Sequence, residues 1–155
     1  MRNDGKKTIL LVDDHPMNID VLSAILENDY HIKVATSGAQ ALEIATEQPD
    51  LILLDIIMPD MDGYEVCRRL KSAPALSGIP VIFVTALNDA DDEIKGLSLG
   101  AVDYFIKPFH VAITLARIKN HLQLKQFRDE LQELNRNLKQ QVRIGLSNNL
   151  DKYRP

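Results

Sequence analysis

The sequence predicts an α/β fold, a doubly wound five-stranded parallel sheet with an extended C-terminal helix, on three observations. Short apolar runs recur at Ile9–Val12, Leu51–Leu54, Val81–Val84 and Tyr104–Ile106, each bounded by polar residues. Runs of this length and composition are the pattern of parallel strands buried on both faces. Helix-length amphipathic stretches separate them, so strand and helix signals alternate five times along the chain. That alternation places helices on both faces of a parallel sheet. The four runs also end on residues with chemistry: Asp13-Asp14, Asp55, Thr85 and Lys107. Ligands of an open parallel sheet sit outside the carboxyl ends of its strands, so these residues are expected to meet at one edge.

Each element has its own signal. Pro16 follows the first strand at a first-turn position, where a missing N–H costs nothing, and Ile19, Leu22, Ile25 and Leu26 form a helical stripe. His31–Ala35 is a short second strand. Ser37 and Gln40 form a capping box that opens a helix with Ala41, Leu42 and Ala45 inward. The third strand ends at Asp55. Met58-Pro59-Asp60-Met61-Asp62-Gly63 is loop chemistry, and Asp62 with Glu65 forms a second capping box for a helix through Leu70. A loop from Ser72 to Gly78 leads to a fourth strand, Ile79–Val84. Asp89, Asp91, Asp92 and Glu93 crowd the start of the next helix, where they complement its dipole, and Gly100 stands where a C-cap glycine belongs. The fifth strand ends at Lys107-Pro108. From about Val111 to near Leu146 the chain is helical, with no proline and no glycine before Gly145.

The bulk composition narrows the function classes. With 155 residues, 45% of them hydrophobic and 26% charged, the chain has room for one well-cored domain and a short extension. Cys67 is the single cysteine, so no intramolecular disulfide forms, which fits a reducing compartment. No stretch approaches the ~20 apolar residues of a membrane span, and the run after the basic start, Met1 to Lys7, is too short for a signal peptide. The expectation is a soluble, cytoplasmic protein with no membrane insertion. The net charge of −4 is divided: residues 1–110 carry 18 acids and 9 bases (−9), and residues 111–155 carry 4 acids and 9 bases (+5). Such a split suggests two functional parts. The acidic body argues against direct nucleic-acid binding, and the basic tail reads as a solvated helix face.

The strand-edge residues suit phosphoryl transfer. Asp13, Asp14 and Asp55 brought together repel one another, so the cluster requires a cation or shifted pKa values. Hard oxygen ligands that leave several positions to water suit Mg²⁺, with Mn²⁺ as the alternative. An aspartate is a competent nucleophile toward phosphorus, giving an acyl phosphate. Lys107 supplies a cation and Thr85 a hydroxyl donor for the charge spread over the transferred oxygens. His15 lies beside the acidic pair and is read as a loop-edge residue rather than a ligand; His31, His110 and His121 show no ligand spacing.

Four segments carry a family resemblance: Leu10–Asn18 (LLVDDHPMN), Leu54–Gly63 (LDIIMPDMDG), Val84–Ala86 (VTA) and Asp103–Phe109 (DYFIKPF). In this order and spacing they resemble the receiver domain of two-component response regulators, over roughly residues 6–122. The resemblance implies a flavodoxin-like strand order, 2-1-3-4-5, and a role for each matching residue. Asp55 resembles the phosphoacceptor that takes a phosphoryl group from a sensor histidine kinase or a phosphotransfer protein. Asp13 and Asp14 resemble the Mg²⁺-binding pair, joined by Asp55 and the backbone carbonyl of Ile57. Thr85 and Lys107 resemble the phosphoryl-sensing residues, and Tyr104 the aromatic whose rotamer follows the threonine. On phosphorylation Tyr104 is expected to turn inward, and the face of the fourth helix, fifth strand and fifth helix to change its partner. Ile57 and Leu87 occupy positions where family members can carry groups that assist a hydrolytic water. Both are apolar here, so slow self-dephosphorylation is expected.

The long last helix stands apart. Leu124, Phe127, Leu131, Leu134 and Leu138 are spaced 3, 4, 3, 4, an a/d coiled-coil seam that Gln141 and Gly145 interrupt. The expected organisation is a receiver domain at 6–122, a helical coiled-coil extension at 123–146 and a disordered end at 147–155. The extension resembles the signalling helix that joins a receiver to an output domain. A homodimer through this helix is therefore expected, in a fragment of a longer regulator whose output is unknown, itself a switch rather than an enzyme. The alternative is a pseudo-receiver that is never phosphorylated and only scaffolds a dimer. Other classes lack their residues. A haloacid-dehalogenase-like phosphatase needs an aspartate where Ile57 stands. An EF-hand needs an acidic first position, which Met58 occupies. A nucleotide site needs a Walker lysine motif or a glycine-rich turn, and a DNA-binding regulator needs a helix-turn-helix.

Overall fold

In the computed structural model, residues 4–108 and 110–152 are described. The first three residues, Phe109 of the DYFIKPF segment and residues 153–155 of the expected disordered end lie outside them. The elements are β1 (Thr8–Val12), α1 (Pro16–Leu26), β2 (His31–Ala35), α2 (Gly38–Ala45), β3 (Leu51–Leu54), α3 (Gly63–Ser72), β4 (Val81–Thr85), α4 (Ala90–Ser98), β5 (Asp103–Ile106) and α5 (Val111–Lys152). The five strands form one sheet in the order β2-β1-β3-β4-β5, every pair parallel. Val12 aligns with Ala35 and with Leu54, Leu54 with Phe83, and Thr85 with Ile106. This register brings the strand ends to one edge.

Alternation along the strands splits the core into two layers. Leu10, Val12, Ile52, Leu54, Val81 and Phe83 point to the layer containing Ala41 and Ala45 of α2 and Val66, Cys67 and Leu70 of α3. Ile9, Leu11, Leu51, Leu53, Ile82 and Val84 point to the opposite layer, with Ile19, Leu22 and Leu26 of α1 and Ile118 and Leu122 of α5. Each such side chain, fully withdrawn from water, contributes about 1.5–3 kcal/mol. Cys67 is buried as the small apolar contact its position predicts, and burial pushes its thiol pKa up. Gly100 follows α4 with φ +104°, a left-handed geometry that glycine adopts without strain.

Several local expectations are corrected. β4 starts at Val81 because Pro80 has no N–H to donate, although its carbonyl still accepts from the Ile52 N–H at 3.0 Å. It extends through Thr85, which pairs with Ile106. Both capping boxes form only in half. Ser37 Oγ accepts from the Gln40 N–H at 3.1 Å, but Gln40 returns its carbonyl oxygen to the Thr36 N–H at 2.8 Å instead of to Ser37. Asp62 accepts from the Glu65 N–H at 2.9 Å, while the Glu65 carboxylate is taken by Arg68 and Arg69 on the exposed face.

The loop after β3 holds Asp60 at φ +68°. Aspartate tolerates the left-handed region better than most residues but still at some cost. Asp60→Gly is expected to stabilise the protein by up to about 1 kcal/mol, read as a higher urea midpoint with an unchanged slope.

The described chain divides into two compact units, one ending at Leu122 and the other starting at Gln123. In the second unit the helix does not stop near Leu146. It passes through Gly145 and reaches Lys152, so the segment expected to be disordered from 147 is helical as far as it is described. A single interior glycine costs only about 1 kcal/mol, too little to end a helix whose neighbours favour it. No helix among the described residues is long and apolar enough to cross a membrane.

Candidate functional site

The carboxyl edge of the sheet gathers the predicted residues. Asp13 follows β1, its N–H donating to Ala35 O at 3.1 Å, and Asp55 follows β3, its N–H donating to Val12 O at 2.9 Å. Thr85 closes β4, and the Lys107 N–H donates to its carbonyl at 2.8 Å. These backbone bonds extend the sheet by one residue per strand and fix the origin of each functional side chain.

The side chains converge. Lys107 Nζ lies 3.0 Å from Asp13 Oδ2 and 3.6 Å from Asp55 Oδ2. Each aspartate also accepts one backbone N–H on its other oxygen: Asp13 Oδ1 from His15 at 2.9 Å, and Asp55 Oδ1 from Ile56 at 2.7 Å. Asp13, Asp55 and Thr85 are 2, 7 and 0% exposed, so the charged groups sit in a dry edge where electrostatic effects are large.

The two buried carboxylates are pushed in opposite directions. Burial works against ionised Asp13, but the His15 N–H, Lys107 and Asn18 outweigh it and hold its pKa below the ordinary carboxylate value. Burial dominates at Asp55 and raises its pKa. Lys107 opposes the rise and the Asp13 charge adds to it, while the Ile56 N–H and Thr85 hydroxyl ease it. One carboxylate is satisfied by the fold and the other is left short of positive charge.

One ligand atom each from Asp13, Asp14, His15 and Asp55 fall within 4.8 Å of one another. Asp14 Oδ1 is buried without a hydrogen-bond partner; His15 Nδ1 stands 3.0 Å from it but not in hydrogen-bonding geometry. A buried carboxylate oxygen with no donor is an unmet acceptor. Carboxylate oxygens around it match the ligand preference of a hard divalent cation, so the donor set fits Mg²⁺. His15 is 66% exposed at its side chain and is the N-cap residue of α1, the loop-edge place its position predicts, although its ring is closer to the acids than that reading required.

The remaining predicted residues are placed as follows. The Ile57 side chain is 57% exposed, and Leu87 is partly buried, its N–H donating to Thr85 Oγ1 at 3.4 Å. Tyr104 is 4% exposed and turned inward, its hydroxyl donating to Leu87 O at 2.9 Å, with burial the main cause of a pKa pushed up to about 12. Leu124, Phe127, Leu131, Leu134 and Leu138 are 52–66% exposed on α5. Past Leu138, Val142, Leu146 and Leu150 follow at four-residue steps, so the apolar pattern leaves the heptad rather than ending.

Three contributors escaped the sequence reading. Asn18 stands four residues past Asp14, where the first helical turn returns a side chain to Asp13. Gly63 closes the loop after Asp55, donating its N–H to Ile56 O at 2.8 Å. Tyr64 lies against Phe83 with ring centroids 5.6 Å apart. The Asp-Gly pair before a helix was the signal available for Gly63, and the first-turn position of Asn18 was the signal for its return to Asp13; the Tyr64–Phe83 contact is tertiary.

The comparisons with known proteins agree with this geometry. The model of the response regulator receiver domain family matches residues 9–119. A "Probable cyclic di-GMP phosphodiesterase" of Vibrio cholerae serotype O1 is 46% identical over 153 residues, 98% of this chain and 34% of that protein. The response regulator PleD of Caulobacter vibrioides is 42% identical over 127 residues, 81% of this chain and 28% of that protein. Among solved structures, a CheY-like response regulator receiver domain protein from Methanospirillum hungatei JF-1 superposes with a TM-score of 0.72 at 29% identity, covering 80% of this chain and 99% of that one. The chain belongs to the response regulator receiver domain family. It spans about a third of the length of the two curated relatives.

Proposed function

We propose that this chain is a phosphorylation switch in which Asp55 accepts a phosphoryl group from a phosphohistidine of a sensor kinase or phosphotransfer protein in the cytoplasm. The supporting observation is the pairing of Asp13 and Asp55 across Lys107, one carboxylate held ionised by its neighbours and the other undercompensated. An Asp55 oxygen attacks phosphorus, the P–N bond to the histidine breaks, and the imidazole nitrogen takes back the bond pair and a proton. Asp13, Asp14, Asp55 and the Ile57 carbonyl would hold Mg²⁺, which when bound neutralises charge on the transferred oxygens. Lys107, now on the two aspartates, is placed to follow the new charge, and the Thr85 hydroxyl to donate to it. Ile57 and Leu87 are apolar, so no side chain at those two positions orients a hydrolytic water. A phosphoryl lifetime of minutes or longer is expected, followed by intact mass after removal of the donor, and Ile57→Asn should shorten it; a wild-type lifetime of seconds contradicts this.

The functional parts are the receiver at 6–122 and the helical extension from 123 onward. The match to the Vibrio cholerae protein covers 98% of the chain and so includes most of the extension, which supports a shared means of passing the switch to a region acting on cyclic di-GMP. The extension pairs with a second copy through Leu124, Phe127, Leu131, Leu134 and Leu138. Leu131→Glu removes about 1.5–3 kcal/mol of leucine burial per chain and introduces facing charges. In sedimentation equilibrium the variant should be monomeric at concentrations where the wild type is dimeric; equal association constants reject the seam.

The test of the switch is intact mass after incubation with acetyl phosphate, with and without Mg²⁺. One Mg²⁺-dependent phosphoryl adduct is expected. A folded chain that takes none rejects the phosphoacceptor reading.

A further inference from the structure

Three aromatic rings run in a row from α3 to β5. Tyr64 meets Phe83 edge-on, with planes at 64°, and Phe83 lies 6.2 Å from Tyr104 at 57°. α4 covers the row with its smallest residue: a Cβ on Gly96 would stand 2.9 Å from Phe83 Cδ2 and 3.3 Å from Tyr104 Cδ2. Gly96 is the buried residue of α4, whereas Ile94 and Leu97 are 63 and 42% exposed. With so little apolar anchorage, the placement of α4 depends on a few specific contacts. Two come from Tyr64. Its hydroxyl donates to Asp92 O at 3.1 Å, and Lys95 Nζ stands 4.4 Å above its ring centroid. A cation over an aromatic face is attracted to it, so one ring holds two consecutive turns of α4.

We infer that Tyr64 is a positioning residue that clamps α4 over the inward Tyr104, so that a side chain on α3 helps to set the state of the switch. The inference rests on reading the strand edge as that switch. Gly96 forms the lid over the Tyr104 ring. When α4 lifts, the lid opens, and the hydrogen bond from Tyr104 to Leu87 O is left to hold the ring. Losing the Tyr64 hydroxyl alone shifts such an equilibrium by about twofold to twelvefold, the range of one net hydrogen bond.

The test uses the full chain and Tyr64→Phe, which keeps the ring and its packing. Hydrogen exchange of amides 93–100 should accelerate by that factor, with α1, α2 and α3 unchanged. In ring-¹³C-tyrosine-labelled protein, the Tyr104 signals, assigned with Tyr104→Phe, should move toward those of a solvent-exposed tyrosine. Tyr64→Leu, which also removes the cation–π contact, should move both readouts further. Unchanged α4 exchange, or faster exchange with unmoved Tyr104 signals, overturns the clamp. Acetyl phosphate and Mg²⁺ are applied in parallel to the wild type: a missing adduct there overturns the phosphoacceptor reading instead, since the clamp is read without phosphorylation.

Discussion

Asp55→Asn should show no phosphoryl adduct after acetyl phosphate and Mg²⁺, and at pH 7 without divalent ions it should be more stable than the wild type. The first result follows from the amide's inability to act as the attacking carboxylate. The second follows from the environment of Asp55, where burial and the Asp13 charge raise the pKa above its ordinary value despite Lys107. A carboxyl with a raised folded-state pKa stabilises the fold when protonated, and that contribution is lost as pH rises through the folded pKa. Replacing it with a neutral amide removes the penalty at neutral pH while Lys107 keeps Asp13 and the Ile56 N–H keeps an acceptor oxygen. Below the ordinary carboxylate range both forms are neutral, so the gain should vanish. Asp13 has the opposite sign: its lowered pKa gives stability present above the ordinary value and lost as pH falls through the folded one. Thermal melts from pH 3 to 8 separate the two, and Mg²⁺ should raise the wild-type midpoint more than that of Asp55→Asn. A variant less stable than the wild type at pH 7 would contradict the account.

Gly63→Ala should cost stability and impair phosphorylation together. An added Cβ would lie 2.1 Å from Asp55 O, 2.8 Å from Ile56 Cα and 2.9 Å from Asp55 C, all backbone atoms. None can rotate aside, so the loop between β3 and α3 has to move. Overpacking of this kind costs roughly 3 kcal/mol. The displaced atoms belong to Asp55 itself, the proposed phosphoacceptor, and a shift of about 1 Å at a reacting group can lower a rate by about 100-fold. Gly145→Ala is the control. Nothing lies within 4 Å of its added Cβ, and mid-helix alanine should stabilise by up to about 1 kcal/mol. Urea midpoints and the rate of adduct formation measure both. A Gly63→Ala chain with wild-type stability and rate would show that the loop is not held as described.

Most of the fold was legible because it depends on local periodicity. Apolar runs, helical stripes and punctuation by Pro16, Ser37, Asp62, Asp89 and Gly100 located each of the ten elements among the described residues, but misjudged the bounds of β4 and the end of α5. The errors fell where a local signal had two possible partners. Gln40 satisfies Thr36 in place of Ser37, and Glu65 prefers two arginines to the Asp62 N–H. Gly145 signalled an end, but one glycine is weaker than the run of helix formers around it.

Local pattern was enough to predict alternating parallel strands with acidic, hydroxyl and cationic groups at their carboxyl ends, whereas the strand order was implied by the family resemblance of the motifs. Parallel strands of known direction leave their carboxyl ends no other place to go. Tertiary structure decided how those groups share charge. Which carboxylate Lys107 neutralises, which oxygen of Asp14 stays without a donor, and whether Tyr104 points in are distances between residues far apart in the chain. Asp13 and Lys107, 94 positions apart, come within 3.0 Å, and Tyr64 reaches Asp92 across 28. Pairings of that kind depend on packing between elements, which no local pattern encodes.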